Sequence, residues 1–325
     1  MTQTLLTVEH LTVSAGQTPL LQNLSFTLKK KETLGLVGES GSGKSMTAWS
    51  LLGLLPPGVF VQSGKIIFKG DDLRRFSQAQ WRVLRGKGLA MIFQNPQTAF
   101  NPLFTVGKQM DNAIAAHFDE TKKTRRERAM FYLRQAELSD SGRILKSYPF
   151  QLSGGMLQRV SIALALSLEP ELLIADEPTT ALDATIQFQI LNLLQKLQKQ
   201  FKTAMLVISH HFGVVSKLCT QIAVMYNGRI VEAGLKSDVL NQPLHPYTRA
   251  LLASRPVNLL SGQTLKTIPG TPPAAGTVTD GCAFAPRCSQ RFELCDKAVP
   301  PELISNNRRV ACFLKPKYDA EKITD

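Results

Sequence analysis

The chain has 325 residues, enough for one large domain with an appendage or for two modest domains. Hydrophobic residues make up 43% and charged residues 19%, as in an ordinary globular protein, and no run approaches the ~18 consecutive apolar residues of a membrane-spanning helix. The net charge of +13 would suit nucleic acid, an anionic membrane surface or phosphate ligands, but lysine and arginine are scattered, so charge alone selects no partner.

The N-terminal third predicts β-structure followed by a helix. Its first residues lack a basic start before an apolar stretch, so we expect no secretory signal and a protein that stays in the cytoplasm. Residues 5–13 and 19–28 alternate apolar with polar side chains, as half-buried strands do. Residues 33–37 form a short apolar run, which predicts a strand covered on both faces. A helix is predicted over Lys44 to Leu55, where a Pro-Pro-Gly sequence stops it.

The middle of the chain, about residues 95–158, is richer in charge and helix formers and predicts an inserted helical subdomain, with a basic helix around 119–137. From residue 157 strands and helices alternate again, which predicts a mostly parallel sheet with helices packed on it. The predicted elements are a helix at 157–168, a strand at 172–175, a helix at 184–200, a strand at 204–208, and strands at 222–226 and 229–233 around an Asn227-Gly228 hairpin turn. The composition shifts once more after residue 253, so we divide the chain into domains at 1–253 and 254–325.

A glycine-rich turn between the strand at 33–37 and the helix that follows has the pattern G-x-x-x-x-G-K-[ST]. In this pattern the backbone N–H groups point at phosphate oxygens, and the helix N-terminus adds a favourable dipole. The lysine neutralises the β- and γ-phosphates, and the final hydroxyl ligates Mg²⁺. The predicted phosphate-binding residues are Gly38, Glu39, Ser40, Gly41, Ser42, Gly43, Lys44 and Ser45.

Two acids close the strand predicted at 172–175. Asp176 suits the coordination shell of Mg²⁺, and Glu177 suits polarising an attacking water as a general base or positioning group. Adjacent acids at a strand end are common surface features elsewhere, but here they follow a buried strand in a chain with a phosphate-binding loop. The sequence therefore predicts hydrolysis of a nucleoside triphosphate.

Residues 152–159, Leu-Ser-Gly-Gly-Met-Leu-Gln-Arg, resemble the signature motif of ATP-binding cassette (ABC) ATPases. Together with the Lys44 loop and the acids at 176–177, they identify the chain as similar to this superfamily over roughly residues 5–250. The resemblance implies an α/β fold: a P-loop (RecA-like) nucleotide-binding domain with an antiparallel β subdomain, an inserted α-helical subdomain and, here, a small cysteine-containing C-terminal extension. It implies ATP and Mg²⁺ as ligands.

The resemblance also implies two cassettes stacked head to tail, so that each ATP lies between the lysine loop of one subunit and the signature of the other. Ser153 opens a helix, and the N–H groups of Gly154 and Gly155 would face the γ-phosphate. The matching positions in the cassette family assign further nucleotide, metal or catalytic roles to Gln94, Gln158, Asp183 and His210. Gln94 would sense Mg²⁺ and water, Asp183 would couple the two sites, and His210 would contact the γ-phosphate.

Two features depart from the superfamily pattern. An aromatic residue that stacks on adenine is frequent near position 15, but residues 13–17 contain none. His211 stands where an acid commonly follows the switch histidine. The spacing from the preceding strand assigns the switch role to His210, with His211 as the minor alternative.

Residues 241–248, the Ile-Pro-Gly at 268–270 and residues 281–288 resemble ATPases of the dipeptide, oligopeptide and nickel importers. That resemblance implies a second, different cassette subunit, two membrane permeases, an extracytoplasmic binding protein and a place on the cytoplasmic face of the membrane. The segment at 101–103 would lie where permease coupling helices dock. The cargo is a dipeptide, a longer peptide, nickel or a metal chelate.

Cys282, Cys288, Cys295 and Cys312 cluster in the C-terminal part, with intervals of five, six and sixteen residues. In a cytoplasmic chain such clustering indicates metal rather than disulfides, although the spacing fits neither common zinc nor ferredoxin patterns. Some peptide-importer ATPases carry a [4Fe–4S] cluster on similar cysteines, which favours iron–sulfur over the two alternatives, no metal and zinc. Cys219 stands apart and predicts a small buried apolar group.

Two other functional classes compete with transport. A nucleic-acid- or ribosome-associated cassette ATPase would suit the charge of +13, but the long coiled coils, second cassette or inserted zinc modules of such proteins do not occur in the sequence, so we expect no nucleic-acid partner. A regulator without turnover would need a broken site, whereas Lys44, Glu177 and Ser153 are all present.

Overall fold

A computed structural model describes residues 3–180, 182–254, 267–305 and 308–314. The chain divides into two compact units. The first comprises Met1–Leu6, Leu28–Thr33 and Phe68–Ile208, and the second Thr7–Thr27, Leu34–Ile67 and Ser209–Asp325. The domain boundary at 253 stays a prediction, since residues 255–266 beside it lie outside the described residues.

The strands are β1 (Thr4–Ala15), β2 (Thr18–Lys29), β3 (Thr33–Val37), β4 (Val59–Phe68), β5 (Asp71–Asp72), β6 (Leu89–Ile92), β7 (Leu172–Asp176), β8 (Ala204–Ser209), β9 (Gln221–Tyr226), β10 (Arg229–Leu235), β11 (Glu302–Ser305) and β12 (Arg308–Ala311). The helices are α1 (Lys44–Leu52), α2 (Gln78–Lys87), α3 (Pro96–Ala99), α4 (Val106–Ala115), α5 (Lys122–Gln135), α6 (Ser141–Lys146), α7 (Gly154–Ser167), α8 (Ala184–Phe201), α9 (Phe212–Leu218), α10 (Lys236–Asn241), α11 (Pro246–Ala253) and α12 (Leu294–Lys297). Short 3-10 turns lie at Leu73–Arg75, Pro149–Gln151 and Ala285–Arg287.

A parallel sheet lies at the centre of the first unit. β7 pairs with β6 on one side and with β8 on the other, so that Ile174 stands opposite Met91 and Leu206. Every residue of β7 and β8 is buried, as in parallel strands that helices cover on both faces. The predicted strands at 172–175 and 204–208 are therefore confirmed.

Helices α4 and α5, which lie between β6 and β7 in the chain, each bury apolar side chains. α4 buries Met110 and Ile114, while α5 buries Leu133 beside otherwise charged turns. The basic helix predicted around 119–137 is confirmed and begins after Thr121, whose hydroxyl accepts a hydrogen bond from the Thr124 N–H.

A mixed sheet organises the second unit. β3 runs parallel to β9, with Leu36 opposite Ala223, and β10 returns antiparallel to β9. The turn between them has Asn227 at φ 46° and Gly228 at φ 75°, which confirms the predicted hairpin because a tight turn of this hand needs two left-handed residues. β12 then pairs with β10, and β11 with β12, so strands from the C-terminal part continue this sheet.

Two predicted helix boundaries were wrong by about one turn. α1 ends at Leu52 rather than Leu55, because Gly53 adopts the left-handed conformation at φ 60° and closes the helix. α7 begins at Gly154 rather than at 157, because the Ser153 side chain caps its first turn.

None of the described helices is both long and apolar enough to cross a membrane. Cys219 follows α9 and is buried, as predicted, and burial raises its thiol pKa far above the ordinary value.

Candidate active site

The phosphate loop, residues 38–45, joins the end of β3 to the start of α1. Its backbone requires glycine at Gly41 and Gly43, whose φ angles of 80° and 101° disfavour other residues. A Cβ atom on Gly38 would lie 2.2 Å from the carbonyl oxygen of Met225. The glycines of the motif are thus explained by the path of the chain as well as by access for a ligand.

Lys44 folds back over this loop and is buried. Its Nζ donates to the carbonyl oxygens of Gly38 at 2.8 Å and Glu39 at 2.9 Å, and lies 3.4 Å from Ser42 Oγ. These acceptors are neutral, so a phosphate oxygen would attract the ammonium group more strongly than they do. The loop therefore holds its cation next to the backbone that would cradle phosphate.

Three residues that the motif did not indicate support the loop from outside it. The N–H of Glu39 donates to Tyr247 Oη at 2.9 Å, and the N–H of Gly228 donates to the Ser42 carbonyl at 3.0 Å. Arg287 pairs with the Glu39 carboxylate. Tyr247 and Arg287 lie in segments whose sequence resembles the importer ATPases, which was the one signal available for them.

The two predicted acids lie at the carboxyl end of β7 and are nearly inaccessible, at 4% exposed for Asp176 and 8% for Glu177. Asp176 is opposite Ile208 in the sheet, and the Glu177 N–H donates to the Ile208 carbonyl at 2.9 Å. Burying a carboxylate costs free energy unless the group has a charged or hydrogen-bonding partner. Pairs of buried acids at a strand end are therefore typical of functional positions.

Glu177 has a left-handed backbone at φ 47°, an uncommon conformation for a residue other than glycine. Its Oε2 accepts a hydrogen bond from the Thr180 hydroxyl at 2.9 Å. Gln158 of α7 is buried, and its side-chain amide donates to the Pro178 carbonyl at 2.8 Å. Gln158 thus braces the turn after Glu177, which sequence reasoning did not foresee.

The predicted signature lies at the start of α7. Ser153 is the N-cap residue, and its hydroxyl accepts a hydrogen bond from the Met156 N–H at 3.3 Å. Ser153 and Gly154 are exposed, while a Cβ on Gly155 would lie 2.9 Å from a methyl carbon of Ile186 in α8. The helix start is therefore accessible to a ligand. Packing against α8 requires a glycine at position 155, because a side chain there would collide with Ile186.

Asp183 caps α8 in the same manner, its carboxylate accepting from the Ile186 N–H at 3.0 Å. Gln94 is exposed and follows β6 after one residue. His210 is half-buried directly after β8, and its ring centroid lies 3.8 Å from that of the exposed His211. The loop and His210 belong to the second unit, and Gln94, Asp176, Glu177 and the signature to the first.

The four clustered cysteines approach one another without forming an evident metal site. The Cys282 N–H donates to the Cys295 carbonyl at 2.8 Å. Burial raises the pKa of Cys282 to about 11, with smaller contributions from Cys295 and Cys312. In the part of the chain that the structure describes, which includes all four cysteines, no group of His, Cys, Asp or Glu is placed to hold a metal ion. The structure thus does not support the predicted iron–sulfur cluster or its zinc alternative.

Two protein families match the chain. The ABC transporter family matches residues 21–180, and the C-terminal region of oligopeptide/dipeptide transporters matches residues 231–295.

Curated relatives and solved structures agree with these matches. The dipeptide transport ATP-binding protein DppD of Bacillus subtilis is 45% identical over 95% of this chain and 94% of its own. The oligopeptide transport ATP-binding protein OppD of Salmonella typhimurium is 43% identical over 92% and 89%.

The dimeric structure of MJ0796, a bacterial ABC transporter cassette, is 26% identical with a TM-score of 0.63 over 71% of this chain and 98% of that one. CbiO1 of Clostridium perfringens, part of the ABC transporter complex cbiONQ, is 25% identical with a TM-score of 0.65 over 74% and 92%. The predicted resemblance and the predicted cassette fold are confirmed. The chain therefore belongs to the ATP-hydrolysing subunits of ABC transporters, within the oligopeptide/dipeptide transporter family.

Proposed function

We propose that this subunit powers the import of di- or oligopeptides across a membrane by binding and hydrolysing ATP on its cytoplasmic face. The observation that carries this proposal is the match of residues 231–295 to the oligopeptide/dipeptide transporter C-terminal region. Similarity to dipeptide and oligopeptide transport ATP-binding proteins along nearly the whole chain supports it. Nickel and metal chelates are the alternative cargo, because chains other than this one select the cargo.

In the proposed site, the loop from Gly38 to Ser45 binds the phosphates of ATP. The buried Lys44 ammonium would exchange its bonds to two loop carbonyls for bonds to the β- and γ-phosphates. A charge-assisted bond from an ammonium group to a phosphate oxygen is stronger than a bond to a neutral carbonyl oxygen. The glycine backbone would let the loop N–H groups approach the phosphate oxygens closely.

Ser45, Gln94 and Asp176 would hold Mg²⁺, and their hydroxyl, amide and carboxylate oxygens are the hard ligands that this ion prefers. The ion would withdraw charge from the phosphates. Glu177 would accept the proton of the attacking water, which forms a bond to the γ-phosphorus as the bond to the leaving ADP oxygen breaks. The hydrogen bond from Thr180 fixes one oxygen of Glu177, so the carboxylate has a defined orientation for this task. His210 would contact the γ-phosphate.

Ser153, Gly154 and Gly155 would bind the nucleotide held by a second ATPase subunit rather than that of their own chain. The exposed start of α7 supports this assignment, because a helix N-terminus attracts anions. Gln158 would act from the same helix, and Asp183 would couple the two sites. We propose a second, different ATPase subunit as partner, with a second copy of this chain as the alternative.

We further propose two integral-membrane permeases and an extracytoplasmic binding protein as partners, with no nucleic-acid partner. The exposed Leu103 and Phe104 follow α3 closely and would contact a permease. The iron–sulfur cluster on the four cysteines stays a sequence prediction without structural support, and iron and zinc analysis of the anaerobically purified chain tests it.

Reconstitution tests the transport proposal. The chain, its partner ATPase and the permeases are placed in liposomes, and ATP hydrolysis is measured with a binding protein loaded with dipeptide, longer peptide or nickel chelate. We expect peptide to stimulate hydrolysis and labelled peptide to accumulate inside. Stimulation by a nickel chelate alone would favour the alternative cargo, and hydrolysis that no cargo affects would contradict the importer assignment.

A further inference from the structure

Arg287 in the C-terminal extension reaches the phosphate loop through a partly buried ion pair. Its Nη1 and Nη2 donate to the two carboxylate oxygens of Glu39 at 2.7 Å and 2.9 Å. The arginine side chain is 4% exposed, against 23% for that of Glu39. The hydrogen bonds that Arg287 donates to Glu39 raise the Arg287 pKa above its ordinary value. A two-point pair of this kind fixes both distance and orientation.

Other contacts hold the guanidinium in place on its remaining sides. Nε donates to the Pro269 carbonyl at 2.9 Å, and Nη1 also lies 3.3 Å from Tyr226 Oη. The ring centroids of Tyr226 and Phe284 lie 5.9 Å and 6.0 Å from its central carbon. Arg287 is therefore a fixed anchor in the extension rather than a mobile surface cation.

Glu39 connects this anchor to the lysine of the loop. Its backbone carbonyl accepts from Lys44 Nζ at 2.9 Å and from the Ser42 N–H at 3.2 Å. Its N–H donates to Tyr247 Oη at 2.9 Å, so the side chain and the backbone of Glu39 are held by different partners. Any movement of Glu39 would displace the carbonyl that holds Lys44.

We propose that Arg287 is a positioning residue for the ATP site, which holds the phosphate loop in its binding conformation through the Glu39 carboxylate. Without this anchor the loop samples other conformations, and ATP binding has to restore the competent one, so the apparent affinity falls by the fraction of competent loops. Arg287 bonds to Glu39 and not to the lysine itself, so the chemical step is expected to proceed normally once ATP is bound. The inference rests on ATP binding by this chain and is independent of the cargo.

Binding of a fluorescent ATP analogue to the full chain tests the proposal, together with KM and kcat for ATP in the complex with its partners. We expect Arg287→Ala to weaken binding and raise KM by about tenfold, the scale of one charge-assisted bidentate contact, with kcat changed less than about twofold. Arg287→Lys keeps the charge without the planar fork, and we expect it to recover about a third of the lost affinity. Arg291→Ala is the matched control, since Arg291 lies in the same extension and forms an exposed pair with Asp296.

Glu39→Gln guards against the case in which Arg287→Ala disrupts the extension, because it changes the loop side of the pair only. We expect this variant to raise KM as well. The KM of the double variant should not exceed the higher KM of the two single variants, since both substitutions remove the same interaction. Additive losses, a fall in kcat with KM unchanged, or unchanged binding in Glu39→Gln and Arg287→Ala would each overturn the proposal. A wild-type chain that failed to bind ATP would instead contradict the site itself.

Discussion

His245 is a buried histidine of the second unit, and its burial predicts a measurable pH dependence of the free energy of unfolding. Its Nδ1 accepts a hydrogen bond from the Tyr247 N–H at 3.0 Å, and the backbone N–H of His245 donates to the Glu232 carboxylate at 2.9 Å. Burial lowers its pKa to about 3 from the ordinary 6.5, and the nearby Arg249 adds to the shift while a hydrogen bond to the Ala311 backbone opposes it. Arg308 pairs with Glu232, and the charged residues Arg229 and Glu302 line the same cavity as His245.

The sign and size of the pH effect follow from these two pKa values. Between pH 6.5 and pH 3 the unfolded chain binds a proton at His245 and the folded chain does not. The contribution of His245 to the free energy of unfolding is therefore fully present above pH 6.5 and falls as the pH decreases. At pH 5.5 the free energy of unfolding should be lower by about 1.4 kcal/mol than at pH 7.5 from this residue alone.

Urea unfolding of the wild type and of His245→Gln at both pH values measures the effect, with tryptophan fluorescence as the signal. The amide of glutamine can accept from the Tyr247 N–H and donate to the Ala311 carbonyl, so the variant keeps the hydrogen bonds but cannot titrate. Contributions from the other histidines, including His117, whose pKa burial also lowers, are common to both proteins and cancel. Equal pH dependence in the two proteins, or an NMR titration that places the His245 pKa near 6.5 in the folded chain, would refute the reasoning.

Three further outcomes are expected. Glu177→Gln should retain ATP binding and lose about 10²- to 10⁴-fold in turnover of the assembled complex, the scale of a lost proton acceptor, and full activity would exclude this role. Gly38→Ala should lower the melting temperature and ATP affinity because its Cβ would lie 2.2 Å from the Met225 carbonyl, whereas Gly142→Ala, with nothing within 4 Å, should change neither. Cys219 should resist N-ethylmaleimide in the native chain at pH 7.5, since burial raises its pKa, and mass spectrometry of labelled peptides checks this.

The sequence predicted the elements around the loop because their signals are local. The apolar run at 33–37 and the glycines that follow it specify a strand and a turn within a few residues of each other, and β3 and α1 begin where predicted. The Asn227-Gly228 turn was predictable for the same reason, since its conformation depends on those two residues. The helix ends were less predictable, because Gly53 could close α1 as well as the prolines after it.

The roles of the motif residues were also assigned from sequence, since a lysine after a glycine loop or an acid after a buried strand carries its chemistry in the residue type. The predicted nucleotide contact of Gln158 stays a prediction. The structure adds a contact that the motif did not indicate, since the Gln158 amide donates to the Pro178 carbonyl, in the turn that follows Glu177.

By itself, the sequence determined the family and the reaction and predicted the residues proposed to contact phosphate, because short motifs and hydrophobic periodicity are properties of neighbouring residues. Only the tertiary structure decided which side chains hold the loop in place. Tyr247 and Arg287 lie 208 and 248 residues from Glu39 along the chain. No local pattern specifies contacts over such separations, because they form only when burial and strand pairing bring the C-terminal segments against the loop.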